Sequence, residues 1–139
     1  MRQLIAMVGA LALIVGLGGE ALARRGVAVQ NYESVPIVRP DGASLTTKRV
    51  REAVVRAAQR NKWIVEQDSP GFVVATLSIK GRHSLTVAIR FSDSQFSIEY
   101  RGSNNLNYMQ GPSGPVIHPA YNKEVKALLD AITAELSAV

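Results

Sequence analysis

Three successive runs of alternating apolar and polar residues, between positions 73 and 101, constrain this chain more than any other feature. Val73, Ala75, Leu77 and Ile79 alternate with Val74, Thr76, Ser78 and Lys80. After Gly81-Arg82, Leu85, Val87, Ile89 and Phe91 alternate with Ser84, Thr86, Ala88 and Arg90. After Ser92-Asp93-Ser94, Phe96, Ile98 and Tyr100 alternate with Gln95, Ser97, Glu99 and Arg101. Side chains of a strand point to opposite faces in turn, so a period of two means one buried and one wetted face. Turns this short join antiparallel neighbours, and the three runs predict a meander with its outer side in water. Trp63-Ile64-Val65-Glu66-Gln67 supplies a fourth strand, closed by the turn-forming Asp68-Ser69-Pro70-Gly71.

Two helices flank the meander. Ser44–Asn61 carries Val50, Ala53, Val54, Ala57 and Ala58 at helical spacing, with Thr46 the better N-cap and Ser44 the other. Lys48, Arg49, Glu52, Arg56, Gln59 and Arg60 fall on its opposite face. That face is either solvated, with Glu52 one turn before Arg56, or a basic surface for an acidic partner. From Pro119, a residue suited to a first helical turn, Tyr121, Val125, Leu128, Leu129, Ile132 and Leu136 form the second stripe. Neither helix is stable alone, so each must bury its stripe on the sheet. Upstream, Val35, Ile37 and Val38 form a strand that Pro36 confines to an edge, and Pro40-Asp41-Gly42 turns the chain. The expected fold is a two-layer α+β domain: strand, helix, four-stranded antiparallel meander, helix, with both helices on one sheet face.

The remaining organisation lies at the N-terminus and near residue 110. Arg2 precedes an uncharged run from Leu4 to Gly19, and Ala21-Leu22-Ala23 stands directly before Arg24-Arg25. A basic start, an apolar stretch and a small-x-small site compose a secretory signal peptide cleaved after Ala23. The run is shorter than the roughly 20 residues that span a bilayer, and four glycines weaken it as a permanent helix. An uncleaved inner-membrane anchor is the competing reading. The chain divides into a signal peptide (1–23), an extended lead-in with an edge strand (24–43) and the α+β domain (44–139). The expected location is periplasmic or secreted, with no stable membrane span after cleavage. Residues 102–119, rich in Asn, Gly and Pro, read as a long loop, of a length that is often functional or disordered.

Composition narrows the chemistry. The chain has no cysteine, which excludes disulfides, thiolate metal sites, thiol nucleophiles and a lipobox. Removing Arg2 and Glu20 with the leader leaves 15 bases against 10 acids, still +5. That excess favours anionic partners or serves solubility alone, and export argues against nucleic acid. Gly16-Leu17-Gly18-Gly19-Glu20-Ala21 matches a dinucleotide fingerprint, but it closes a leader where the fingerprint needs a preceding strand and a following helix. The two histidines, His83 and His118, have no acidic neighbours at zinc-site spacing, and no metal or other cofactor is expected. Ser113 lacks the strand–turn–helix setting of a nucleophile elbow. Glu66 and Asp68 flank one turn and Asp93 sits in another, where Asp satisfies local backbone groups.

Thr46, Phe96-Ser97-Ile98-Glu99-Tyr100, Asn105-Leu106-Asn107-Tyr108 and Ile117-His118-Pro119-Ala120-Tyr121-Asn122-Lys123 together resemble the motifs of a family of small exported proteins and lipoproteins of Gram-negative bacteria. The resemblance covers most of the mature chain and implies an envelope location without an assigned activity. Glu124 stands where members usually place Trp, so no role of that aromatic is carried over. More loosely, the element order is similar to TATA-binding-protein-like and helix-grip folds, which also occur in lipoproteins of the outer-membrane barrel-assembly machinery. Fold likeness of that kind carries no function.

Two surfaces are candidates. On the wet sheet face, Thr76, Ser78, Ser84, Thr86, Ala88 and Ser97 are small, with Lys80, Arg90, Glu99 and Arg101 around them, a shallow surface for a protein or glycan. In the second, Asn105, Asn107 and Tyr108 of the loop stand with His118, Tyr121 and Asn122 of the last helix, where amide and phenol groups could converge. Against these, Ser and Thr commonly populate a solvated sheet face, Asn bonds its own backbone in turns, and His118 suits a helix cap. The sequence thus points to a non-enzymatic exported domain that binds another envelope component, a protein or glycan, with Arg90 and Arg101 on one candidate surface. The alternative is a small periplasmic hydrolase or ligand-binding enzyme centred on His118 and the 103–121 segment.

Overall fold

The computed structural model describes residues 26–139, so the expected signal peptide and its cleavage after Ala23 lie outside the described residues. Two antiparallel sheets and two helices make an α+β domain. The larger sheet is built from β2 (Tyr32–Pro36), β3 (Ile64–Ser69), β4 (Phe72–Ile79), β5 (His83–Phe91) and β6 (Gln95–Asn104) in the order β2-β6-β5-β4-β3. The smaller sheet has the order β1-β8-β7, from β1 (Val27–Ala28), β7 (Met109–Gly111) and β8 (Gly114–Ile117). Helix α1 (Thr47–Arg60) precedes β3, and helix α2 (Pro119–Ala138) closes the chain.

The meander registers as the alternation requires: Val73 faces Ile89, Ala75 faces Val87, Leu77 faces Leu85 and Ile89 faces Ile98. These residues are buried, and they share one core with Val50, Ala53, Val54, Ala57 and Ala58 of α1 and Tyr121, Val125, Leu128, Ile132 and Leu136 of α2. The helices pack against each other as well as on the sheet. The Thr46 hydroxyl accepts from the Arg49 backbone N–H at 3.2 Å and caps α1. Pro36 ends β2, the sheet's edge, where a missing donor is tolerated.

The structure departs from the sequence expectation in three places. The lead-in pairs twice: β1 joins β8, and β2 begins at Tyr32 with a register shift before Val35, where Ser34 adopts φ 51°. Ile37 and Val38 lie beyond the strand. Residues 102–119 are not a structureless connection, because β6 runs on to Asn104 and Pro112-Ser113 turn a short hairpin between Gly111 and Gly114. Gly114, at φ 119°, takes a conformation that side-chain-bearing residues avoid. The outer face of the large sheet is also not wet throughout: Val74 and Ala88, directly opposite one another, are only 5% and 6% exposed.

Candidate functional site on the outer sheet face

The two candidate surfaces lie at different places, and the structure gives them different characters. Asn105 and Asn107 adopt left-handed backbone at φ 59° and 56°, a conformation Asn tolerates better than most residues. Between them Leu106 turns inward and is 3% exposed. The Asn105 amide donates to the Arg82 carbonyl at 2.7 Å, and its own carbonyl lies 2.7 Å from His83 Nδ1, which fastens the segment to the β4–β5 turn. Tyr108 stacks on Tyr100 with ring centroids 4.4 Å apart, and Tyr100 meets Tyr121 edge-on at 5.5 Å.

The last helix continues the same work. His118 Nδ1 accepts from the Ala120 backbone N–H at 3.0 Å, capping α2, while its own N–H donates to the Leu106 carbonyl at 2.8 Å. Asn122 staples the lead-in, accepting from the Gln30 N–H at 3.0 Å and donating to the Ala28 carbonyl at 2.9 Å. Tyr121 is fully buried, its hydroxyl has no hydrogen-bond partner among the described residues, and burial pushes the phenol far above its ordinary pKa. Asn105, Leu106, His118 and Asn122 therefore hold backbone in place, and the aromatic rings pack. No polar atoms converge here on a common point.

The outer face is different. Phe72 opens β4 and projects on that side opposite Arg90, and two guanidiniums gather on its ring. The Arg90 Cζ lies 5.0 Å and the Arg101 Cζ 5.6 Å from the ring centroid. The register shift between Thr86 and Val87 leaves Arg101 as the extra residue of a bulge in β6, and bulges redirect a side chain out of the regular alternation. Glu99 completes the group, its Oε1 accepting from Arg90 Nε at 3.2 Å. Beside it the floor is low: the Thr76 and Thr86 hydroxyls bond across the strands at 2.7 Å, and Ser97 Oγ accepts from the Ser34 N–H at 2.9 Å. A cleft of about 330 Å³ opens next to Arg90, lined also by Gly71, Gln95 and Ser97.

A second cleft, of about 360 Å³, lies between the start of α1 and the β3–β4 turn, bridged by Arg51 and Asp68 at 2.6 Å. Both clefts are at the end of the sheet away from Asn105 and the β4–β5 turn. Among the described residues no three His, Asp or Glu side chains converge as metal ligands would, and no helix is long and apolar enough to cross a membrane. Phe72 is the residue the sequence reading missed. Its signal was a large aromatic at an even position of β4, on the face where every other residue but Val74 is polar.

No family model, curated protein or solved structure matches this chain.

Proposed function

We propose that this chain is an exported, non-enzymatic binding domain of the cell envelope, and that it engages an envelope protein or glycan through the outer face of the five-stranded sheet. One observation carries the reading. The inner face is closed by both helices, whereas the outer face presents the Arg90–Phe72–Arg101 group on a low floor of Ser and Thr. Arginine and aromatic side chains dominate the energetics of protein recognition, and two arginines already resting on a ring lose less freedom when a partner arrives. Export is supported by the leader-like residues 1–23 and by the family resemblance of the Asn-Leu-Asn-Tyr and Ile-His-Pro-Ala-Tyr-Asn stretches. The His118 side favours binding less, because its polar groups are spent on backbone.

Photo-crosslinking in cells producing the full chain tests the binding face. A crosslinking amino acid at Ser78, exposed on the outer face, should give a discrete adduct, and one at Gln59, exposed on α1, should not. Adducts from Gln59 alone, or from neither position, would overturn the reading. N-terminal sequencing of the protein recovered from cells should begin at Arg24, and an intact Met1 would refute export.

A further inference from the structure

We infer that Arg101 and Arg90, held on the Phe72 ring, form a carboxylate-binding subsite, and that the outer face takes an extended acidic segment of a partner polypeptide. The inference rests on the outer-face reading above and names the partner's chemistry.

Charge balance is the first argument. On the helix side the arginines Arg51, Arg56 and Arg60 are met by the chain's own acids, Arg51 by Asp68 and the other two by Glu135, while Lys48, Arg49 and Lys123 have no ion pair among the described residues and no aromatic ring to hold them. On the outer face two arginines share one acid. Glu99 reaches only Arg90 Nε, so the terminal nitrogens of Arg90 have no ion-pair or hydrogen-bond partner among the described residues. Arg101 has no ion-pair or hydrogen-bond partner among the described residues. The group therefore carries a net +1, concentrated where two guanidiniums approach one ring.

Geometry is the second argument. These two contacts are the cation–π contacts of the described residues, and both use the same ring. Contact with an aromatic face orients a guanidinium while leaving its edge donors free, and a planar fork of N–H groups matches a carboxylate bidentately. Arg90 is 63% exposed, so a ligand can reach the fork without the sheet moving.

The surroundings favour a carboxylate on an extended chain over a polyanion. Glu99 lies within the group at 35% exposure, and it would repel a second or third phosphate of a nucleic acid or the charged plane of an anionic membrane. A single carboxylate on Arg101 avoids it. The cleft beside Arg90, with Gly71, Gln95 and Ser97 in its wall, has room for a neighbouring uncharged side chain of the same segment. The low Thr and Ser floor lets a flat, extended backbone approach closely.

The test uses fluorescence anisotropy with the full chain as isolated from cells. The probe is a fluorescein-labelled six-residue peptide of alternating Glu and Val, compared with the same peptide carrying Gln for Glu. The Glu peptide should bind at least about tenfold more tightly, an electrostatic preference of a size one charge-assisted pair can supply. Arg101→Gln should raise its Kd about tenfold and Arg101→Lys by less. Lys48→Gln with Arg49→Gln, on the helix side, should leave the Kd unchanged. Equal affinity for the two peptides overturns the inference. So does an equal loss in the helix-side variant, which would mean diffuse charge attraction, or tighter binding to phosphatidylglycerol vesicles than to the Glu peptide. If the Ser78 crosslink forms while the Glu peptide is not preferred, the carboxylate subsite is wrong and the outer-face reading stands. If the Ser78 crosslink also fails, both are wrong.

Discussion

Replacing Leu106 by Ala tests whether the Asn-rich segment is a plug set into the core or a free recognition loop. Leu106 is 3% exposed, belongs to the same core as both helices, and offers its carbonyl to the His118 N–H at 2.8 Å. Truncating a buried Leu to Ala typically costs about 2–5 kcal/mol, the spread reflecting how far the site collapses. The two flanking left-handed asparagines restrict that collapse, since the backbone between them cannot slide inward without leaving their turns. We therefore expect about 3 kcal/mol. With an unfolding entropy of about 2.1 cal/mol/K per residue over the described chain, that lowers the Tm by roughly 12 °C. In urea, at a slope near 1.5 kcal/mol/M, the midpoint should fall by about 2 M. Tyr108→Ala is the internal comparison. Tyr108 is 40% exposed and contributes chiefly its stack on Tyr100, so its loss should cost about 1 kcal/mol. Thermal unfolding followed by circular dichroism, with urea titration, reads both. A Leu106→Ala loss below about 1 kcal/mol, or one smaller than that of Tyr108→Ala, would falsify the plug.

Three further expectations follow from named contacts. Tyr121→Phe removes a buried hydroxyl without a partner among the described residues, so stability should hold or rise by up to about 1 kcal/mol, and a loss above that in urea titration contradicts the packing role. Asn105→Ala should cost about 1–2 kcal/mol, because the left-handed backbone and the bond to Arg82 are both penalised, and Asn105→Gly should cost less, since glycine keeps the conformation; a reversed order in a Tm comparison refutes this. The hydrogen bond from Arg56, with the nearby Arg60, holds the Glu135 carboxyl below its usual range, so its contribution is present above about pH 4.5 and fades as pH falls through the lowered value. Glu135→Gln should then melt a few degrees lower at pH 7, with the gap to the parent protein closing below about pH 4; a gap independent of pH rules the ion pairs out as its cause.

The meander was legible because twenty-nine residues repeat one simple rule, with short turns between the runs. Both caps were legible too, since Thr46 and His118 stand where a side chain must satisfy free N–H groups. The small sheet was not. Its strands have two, three and four residues, too few for a period to emerge, and β1 finds β8 about ninety positions away. Burial of Val74 and Ala88 on the outer side was equally hidden, because alternation assigns faces but says nothing of how tall neighbouring side chains will be. At the candidate site, Arg90 and Arg101 were visible as charges on a wet face. Their meeting depends on Phe72 two strands away from Arg101, and Arg101 itself stands at a bulge; neither is a local property of sequence. Asn105, His118 and Asn122 attracted notice for the same chemistry that makes them good fasteners, short side chains that can bond a backbone, whereas Asn107 serves by its left-handed backbone.

The pairing of Val27 and Ala28 with Ile117 and Val116 has a kinetic consequence. The first strand of the described residues has no mate until about ninety further residues have been synthesised. The Asn122 clasp over residues 28 and 30 comes later still. Closing so large a span is entropically slow, so the opening segment stays slack while the meander condenses, and is fastened at the end. A molecule cut short before residue 116 would leave that segment dangling.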